Sequence, residues 1–365
     1  MLGSPLRSWS LLSLLLGLTA VAAHAGPPRG PGTIVVGVTG IDSPETRLLL
    51  VDTTPGTAAT APIEGGTVVH LAGHAPLGVV VDNQHVALVV RAGSRDDGLL
   101  LLRDLGTGTE QPLLDGVMAT HAPLRRHRPG GATELVAVRH SPEQVGGASF
   151  DVVAVDVKSG TGQVLASAPR LWLTPVQGAS DDVAFLVIDG APGFQPKSAR
   201  NSDGHAHIDV VIDGILTPRW TLGPGTFRSP VCTASRCVIE QELDGHAVLT
   251  DEQGKTLVKG RPGLQPVATA TTLAVSSSHK DGSVLVAVGD GPFSRWSSGR
   301  AGVARPLALV ETAGDTVVVA WLDRGPMQPG ELWAIAKGSA WQLLPPVERT
   351  AVTVYGVLPH SEGSR

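Results

Sequence analysis

The chain has 365 residues, a formal net charge of −5 and 17% charged residues, a mild balance that calls for neither a nucleic-acid partner nor an acidic tail. Its 45 glycines and 28 prolines punctuate valine- and leucine-rich runs, which favours many short strands over helices. Past residue 25 no stretch is long and apolar enough to cross a bilayer as a helix.

Residues 1–25 read as a secretory signal. Arg7 lies in a short polar segment, "LLSLLLGLTAVAA" is an apolar core of export length, and Ala23-His24-Ala25 is a small-x-small cleavage site. The run is short for a membrane anchor, and no basic stop-transfer cluster follows it. The expectation is a single domain over 26–365, periplasmic or fully secreted. The two cysteines, Cys232 and Cys237, would then form a disulfide, because an exported protein meets an oxidising compartment.

The mature chain opens with an apolar strand, "TIVVGV" (33–38). Next comes "TRLLLV", which ends at Asp52 and is followed by Gly56. The same strand, aspartate and glycine recur at Asp104 and Gly108, then at Asp156 and Gly160, with 52 residues between successive aspartates. Further copies of the strand are "IDVVID", "HAVLTD", "SVLVAV" and "ELWAIA". The aspartates read as turn formers rather than catalytic acids, since the side chain can bond its own backbone and glycine accepts positive φ. A second strand precedes each copy, as in "HVALVV" (85–90), "ELVAVR" (134–139), "VAFLVI" (183–188) and "TVVVAW" (316–321). A proline followed by valine or leucine marks a first strand, at Pro76, Pro123, Pro175, Pro230, Pro266, Pro306 and Pro346.

Four antiparallel strands repeated about every 40 to 50 residues are the signature of a β-propeller blade. Seven copies of the third strand predict an all-β, seven-bladed propeller of four-stranded antiparallel blades. The tail "PVERTAVTVYGV" (346–357) would supply the innermost strand of the first blade, so that the N- and C-terminal strands share one blade and close the ring. In this register Cys232 ends the innermost strand of the fifth blade and Cys237 begins its neighbour.

"DVVAVDVKSGTGQVLAS" and "TPVQGASDDVAFLV" resemble the two halves of TolB-like and WD-repeat-like propeller repeats. The resemblance implies a rigid platform for proteins, peptides or small ligands. Some such propellers accompany a catalytic domain, for which this length leaves no room.

Chemistry is harder to place. The sequence holds no G-x-S-x-G elbow, no phosphate-binding G-x-x-x-x-G-K-[ST] loop, and no H-E-x-x-H or C-x-x-C motif. Loops joining second to third strands, and those joining blades, open on one face of a propeller, where ligands sit. The longest is "GAPGFQPKSARNSDGHAH" (190–207), whose composition also suits a solvated loop. His74 and His121 each stand two residues before a blade-opening proline, with His70 close by. His205 and His207 lie at the base of the long loop and alternate along one strand. These imidazoles, with Asp203 or Asp209, form a candidate set for a divalent metal such as zinc or copper, although no ligand-spacing motif is complete. The basic run "RRHR" (125–128) reads as a solvated turn or as a dock for an anionic partner.

The leading expectation is a monomeric, non-enzymatic exported scaffold with no fixed cofactor. It would bind another envelope or extracellular protein, or a small ligand, on the loop-rich face. The alternative is a propeller enzyme, a metal-assisted hydrolase or lactonase, with His74, His121, His205 and His207 lining the channel mouth and Asp203 completing the metal site.

Overall fold

The computed structural model describes residues 32–359, apart from 57–59, 92–96, 129–130, 142–148, 170, 179–182, 190–199, 202–205, 223–224, 313–314, 326–327 and 348–349. The expected signal segment therefore lies outside the described residues, as do Asp203, His205 and most of the 190–207 loop.

Every regular element among the described residues is a strand. The first repeat holds β1 (Thr33–Gly40), β2 (Glu45–Asp52) and β3 (Thr60–Val69). The second holds β4 (Leu77–Val80), β5 (His85–Arg91), β6 (Asp97–Asp104) and β7 (Glu110–Met118). The third holds β8 (Leu124–His127), β9 (Thr133–His140), β10 (Ser149–Asp156) and β11 (Gly162–Pro169). The fourth comprises β12 (Leu171–Pro175), the short β13 (Gln177–Gly178), β14 (Ala184–Asp189), the short β15 (Arg200–Asn201), β16 (Ala206–Ile212) and β17 (Ile215–Thr221). The fifth has β18 (Gly225–Cys232), β19 (Cys237–Leu243), β20 (His246–Asp251) and β21 (Thr256–Gly260). The sixth has β22 (Val267–Ala268), β23 (Thr272–Ser276), β24 (Ser283–Val288) and β25 (Ser294–Ser297). The seventh has β26 (Val303–Thr312), β27 (Asp315–Asp323), β28 (Gly330–Ala336) and β29 (Ser339–Val347), and β30 (Thr350–Val357) follows.

The fold is all-β and propeller-type. Each expected third strand is paired antiparallel on both sides, as β10 is between β9 and β11. The sheets pack face to face, so a strand is apolar on both sides. In β5, Val86, Leu88 and Val90 face the first repeat, while Ala87 and Val89 face the third. Seven hydrophobic clusters fill the spaces between consecutive repeats, and one of them joins Val310, Val319 and Leu332 of the seventh to Ile34, Val36 and Val51 of the first. The C-terminal β30 pairs with β1 in antiparallel register, from Ile34 opposite Val357 to Gly40 opposite Thr350.

The repeated aspartates are turn formers. Asp104 Oδ1 accepts from the backbone N–H groups of Gly106 and Thr107, each at 2.7 Å, and Asp156 Oδ1 accepts from Ser159 N–H at 2.7 Å. These backbone donors, led by Thr107 and Ser159, hold both carboxyls below the usual aspartate range. Gly108 and Gly160 follow at φ 72° and 70°. Asp251 repeats the arrangement with Lys255 N–H at 2.8 Å.

The prolines are less regular than the sequence suggests. Pro76, Pro123 and Pro266 do precede first strands, but Pro175 ends β12, and Pro230 and Pro306 lie at bulges within β18 and β26. A bulge leaves a ladder position unpaired, so a residue without an N–H costs little there. Pro346 belongs to the end of β29, and the closing strand starts only at Thr350.

Cys232 and Cys237 lie directly opposite each other on β18 and β19 and form a disulfide. The short strands β13 and β15 both pair with β18, at its end and its beginning respectively.

Candidate functional site

The connections from second to third strand and from one repeat to the next open at the same end of the sheets. Third strands begin there, and a polar side chain at or near that beginning is tied to a partner in six of the repeats.

In the third repeat, Asp151 on β10 stands between Arg139 of β9 and Ser167 of β11 in the ladder, which places all three side chains on one face. The Asp151 carboxylate accepts from Ser167 Oγ at 2.8 Å and from Arg139 Nη2 at 3.4 Å. Asp97, at the start of β6, lies 3.1 Å from His140 Nε2 at the end of β9, and the His140 ring packs 5.0 Å from that of Phe150. In the fourth repeat, His207 and Asp209 alternate along β16, and His207 Nδ1 donates to Asp209 Oδ1. Asp209 is buried and His207 partly so. In the first repeat Thr46 bonds Nε2 of the buried His70 at 2.9 Å, while His70 Nδ1 donates to the Leu71 carbonyl at 2.8 Å.

The sixth and seventh repeats carry guanidinium groups instead. Arg295 pairs with Asp281, and Arg305 with Asp323 at 3.0 Å. Glu331, buried at the start of β28, accepts from Trp333 Nε1 at 2.8 Å and Arg324 Nη2 at 3.0 Å.

Of the histidines expected in the site, His74 is exposed, with Nδ1 3.3 Å from Arg91 Nη1. His121 is partly buried in the connection from β7 to β8, and burial pushes its pKa down to about 4. Both lie at the same end as His207. Among the described residues no group of three or more His, Cys, Asp and Glu side chains is gathered closely enough to hold a metal ion. Asp97, Arg139, His140 and Asp151 escaped the sequence reading. Their signal was a charged residue at the loop-proximal end of an otherwise apolar strand.

Residues 125–127 of the "RRHR" run lie on β8 rather than in a turn. Arg126 and Arg128 both pair with the buried Glu134, at 2.7 and 2.6 Å, and Arg125 donates to the carbonyls of Val80 and Val81. Arg125, His127 and Arg128 remain exposed.

An imidazole whose Nδ1–H is held by a buried carboxylate has its ring oriented and its tautomer fixed, which is the arrangement that acid–base catalysis uses. His207–Asp209 has that form through Nδ1, and His140 meets the half-buried Asp97 through Nε2.

No protein-family model matches the chain, and no curated protein matches it in sequence. Solved structures do share the fold. An oligogalacturonate lyase in complex with manganese superposes with a TM-score of 0.52 at 12% identity, covering 83% of this chain and 90% of the lyase. An acylaminoacyl peptidase superposes with a TM-score of 0.50 at 11% identity, covering 84% of this chain. The chain spans about half the length of that peptidase, 53%. TolB from Acinetobacter baumannii is also similar, with a TM-score of 0.46 at 13% identity over 83% of this chain and 73% of TolB. These identities show a shared fold alone. The expectation of a non-enzymatic scaffold is corrected: the lyase and the peptidase just described are enzymes, as is a prolyl endopeptidase that superposes with a TM-score of 0.50, so the fold gives a scaffold no preference over an enzyme.

Proposed function

We propose that this chain is an exported propeller enzyme of the hydrolase or lyase type, with its substrate held on the loop-bearing end over the second, third and fourth repeats. The observation that carries the reading is the His207–Asp209 pair, an imidazole oriented by a buried carboxylate at the root of the longest loop. His207 would move the proton, from water in a hydrolysis or from carbon in an elimination, and Asp209 would stabilise the imidazolium that forms. The lyase neighbour supports the idea that a propeller alone, of nearly this extent, can be a whole enzyme.

Seven antiparallel units, seven inter-repeat clusters and the β1–β30 pairing support a seven-bladed ring closed by the two terminal strands, forming one domain over 26–365. The disulfide and the N-terminal signal support export.

The test is a screen of lactones, esters, peptides and uronate-containing oligosaccharides with the wild type, His207→Ala and Asp209→Asn. Loss of about 10²-fold or more in turnover for both variants, with unchanged melting, supports the reading. Turnover that survives both substitutions sinks it.

A metal-assisted version has one observation in its favour. A carboxylate on the second nitrogen of a histidine is the outer-shell arrangement of many metal ligands, and Asp203 and His205 neighbour His207 in sequence. Metal content of the untagged mature protein beside that of His207→Ala decides between the two versions.

A further inference from the structure

The loop-bearing end carries two chemistries, imidazole–carboxylate pairs over the earlier repeats and guanidinium groups over the sixth and seventh. Most of the latter are answered by acids. Arg295, Arg305 and Arg324 pair with Asp281, Asp323 and Glu331. Two cations are not. Among the described residues no ion pair joins Lys280 or Arg300 to a carboxylate. Both side chains are exposed.

Their backbones are fixed. Lys280 lies in the loop from β23 to β24, and Arg300 in the connection from β25 to β26. Three bonds fasten these segments: Ser298 N–H to Gly282 O at 3.0 Å, Gly282 N–H to Gly302 O at 2.8 Å, and Gly302 N–H to Lys280 O at 3.0 Å. The approach is close enough that only glycine fits at 282. It sits at φ +65°, and a Cβ there would come within 2.6 Å of the Arg300 carbonyl oxygen. The Arg300 guanidinium is held 5.5 Å from the centroid of the Trp333 ring, whose Nε1–H is itself fixed by Glu331. A guanidinium held against an aromatic ring spends none of its N–H donors on that contact, which leaves the fork for bidentate capture of an oxyanion.

We infer that Lys280 and Arg300 form a preorganised oxyanion site that takes the carboxylate or phosphate group of a small anionic ligand. The place of this anchor in turnover rests on the enzyme reading above; the binding itself does not. Two cations on loops zipped together lose little entropy when the ligand arrives, and among the described residues no ion pair occupies them.

The experiment is calorimetric titration of the mature protein with citrate and, separately, with inorganic phosphate, at ionic strength matched with sodium chloride. The wild type binds one equivalent. Arg300→Ala weakens binding by about tenfold or more, and Lys280→Ala/Arg300→Ala removes it, because each lost charged hydrogen bond is worth roughly that factor. Arg300→Lys, which keeps the charge and loses the fork, falls between. A preference for citrate assigns a carboxylate ligand, and a preference for phosphate a phosphate ester. Because both cations are exposed, the variants fold. His207→Ala binds as the wild type does, so failure of the catalytic assignment would leave this result standing. Equal affinity in the wild type and the double variant, or no binding by the wild type at millimolar anion, overturns the proposal.

Discussion

The tyrosine of the C-terminal strand offers the most direct measure of how the terminal strand is held. Tyr355 on β30 is 2% exposed and packs in the cluster between the first and second repeats. Its hydroxyl donates to the Pro76 carbonyl at 3.3 Å, a long bond, and burial raises its pKa. The ring fits because two glycines flank it. A Cβ on Gly37 would lie 2.6 Å from the hydroxyl oxygen, and one on Gly78 would lie 3.2 Å from Cδ1. Tyr355→Phe removes one neutral hydrogen bond and leaves a single carbonyl unanswered, a loss of about 1 kcal/mol. Tyr355→Ala empties a ring-sized space, a loss of about 4 kcal/mol. Gly37→Ala overpacks the same space and costs about 2 kcal/mol with the ring present. In the Gly37→Ala/Tyr355→Ala double variant the new methyl loses its two clashes with the ring and keeps only the one with Thr46 Cγ2 at 2.9 Å, so the two costs fall short of their sum by about 1 kcal/mol or more. Urea unfolding followed by tryptophan fluorescence reads all four proteins without interference from the substitution. A Tyr355→Ala loss below about 1 kcal/mol, or strict additivity in the double variant, would show that the ring does not clamp the terminal strand between these glycines.

Three other outcomes are expected. His121 is held neutral by burial, with a folded pKa of about 4 against 6.5 unfolded, so the unfolded chain binds the extra proton first. Its contribution is complete above pH 6.5 and lost as the pH falls towards 4, up to about 3 kcal/mol, and His121→Gln should flatten the urea-midpoint profile over that window; an unchanged slope would count against the assignment. Asp104→Ala surrenders two backbone bonds in its turn and should cost about 1 kcal/mol, whereas Asp104→Asn, which keeps the acceptor, should cost less. Replacing Cys232 and Cys237 together by serine opens a loop with a sequence separation of only 5, so the midpoint should move by no more than about 2 kcal/mol, and collapse of the whole fold would refute a purely local clamp.

The features legible in the sequence were those written locally. A continuous apolar run, an aspartate and a glycine define a strand and its turn within ten residues, so β2, β6 and β10 and their turns could be read directly. The disulfide was legible because a short hairpin brings its cysteines together. The site was not local. His140 meets Asp97 only because consecutive repeats lie side by side, and Arg139 meets Asp151 only through the register of β9 against β10. The partner of the "RRHR" run was hidden for the same reason, since its acid, Glu134, sits across a hairpin on the adjoining strand. Proline as a marker of first strands failed where a bulge accepts it in mid-strand, as at Pro230 and Pro306.

These polar contacts also explain why chemistry belongs at one end. Most strands are buried on both faces, leaving no room for charge in their middle, and the opposite end is largely spent on tight turns stabilised by their own aspartates. Buried polar side chains recur where a third strand emerges from a loop, and there, as at Arg103 and Glu134 elsewhere on the sheets, each has a partner to offset burial. A buried acid such as Asp209 orients its histidine for the same reason that it is tolerated: the ion-dipole bond that repays its desolvation also fixes the ring. Arg300 escapes that requirement because the Trp333 face, rather than a carboxylate, holds it. Among the described residues, Arg300 and Lys280 are thus exposed cations at this end that no ion pair joins to an acid.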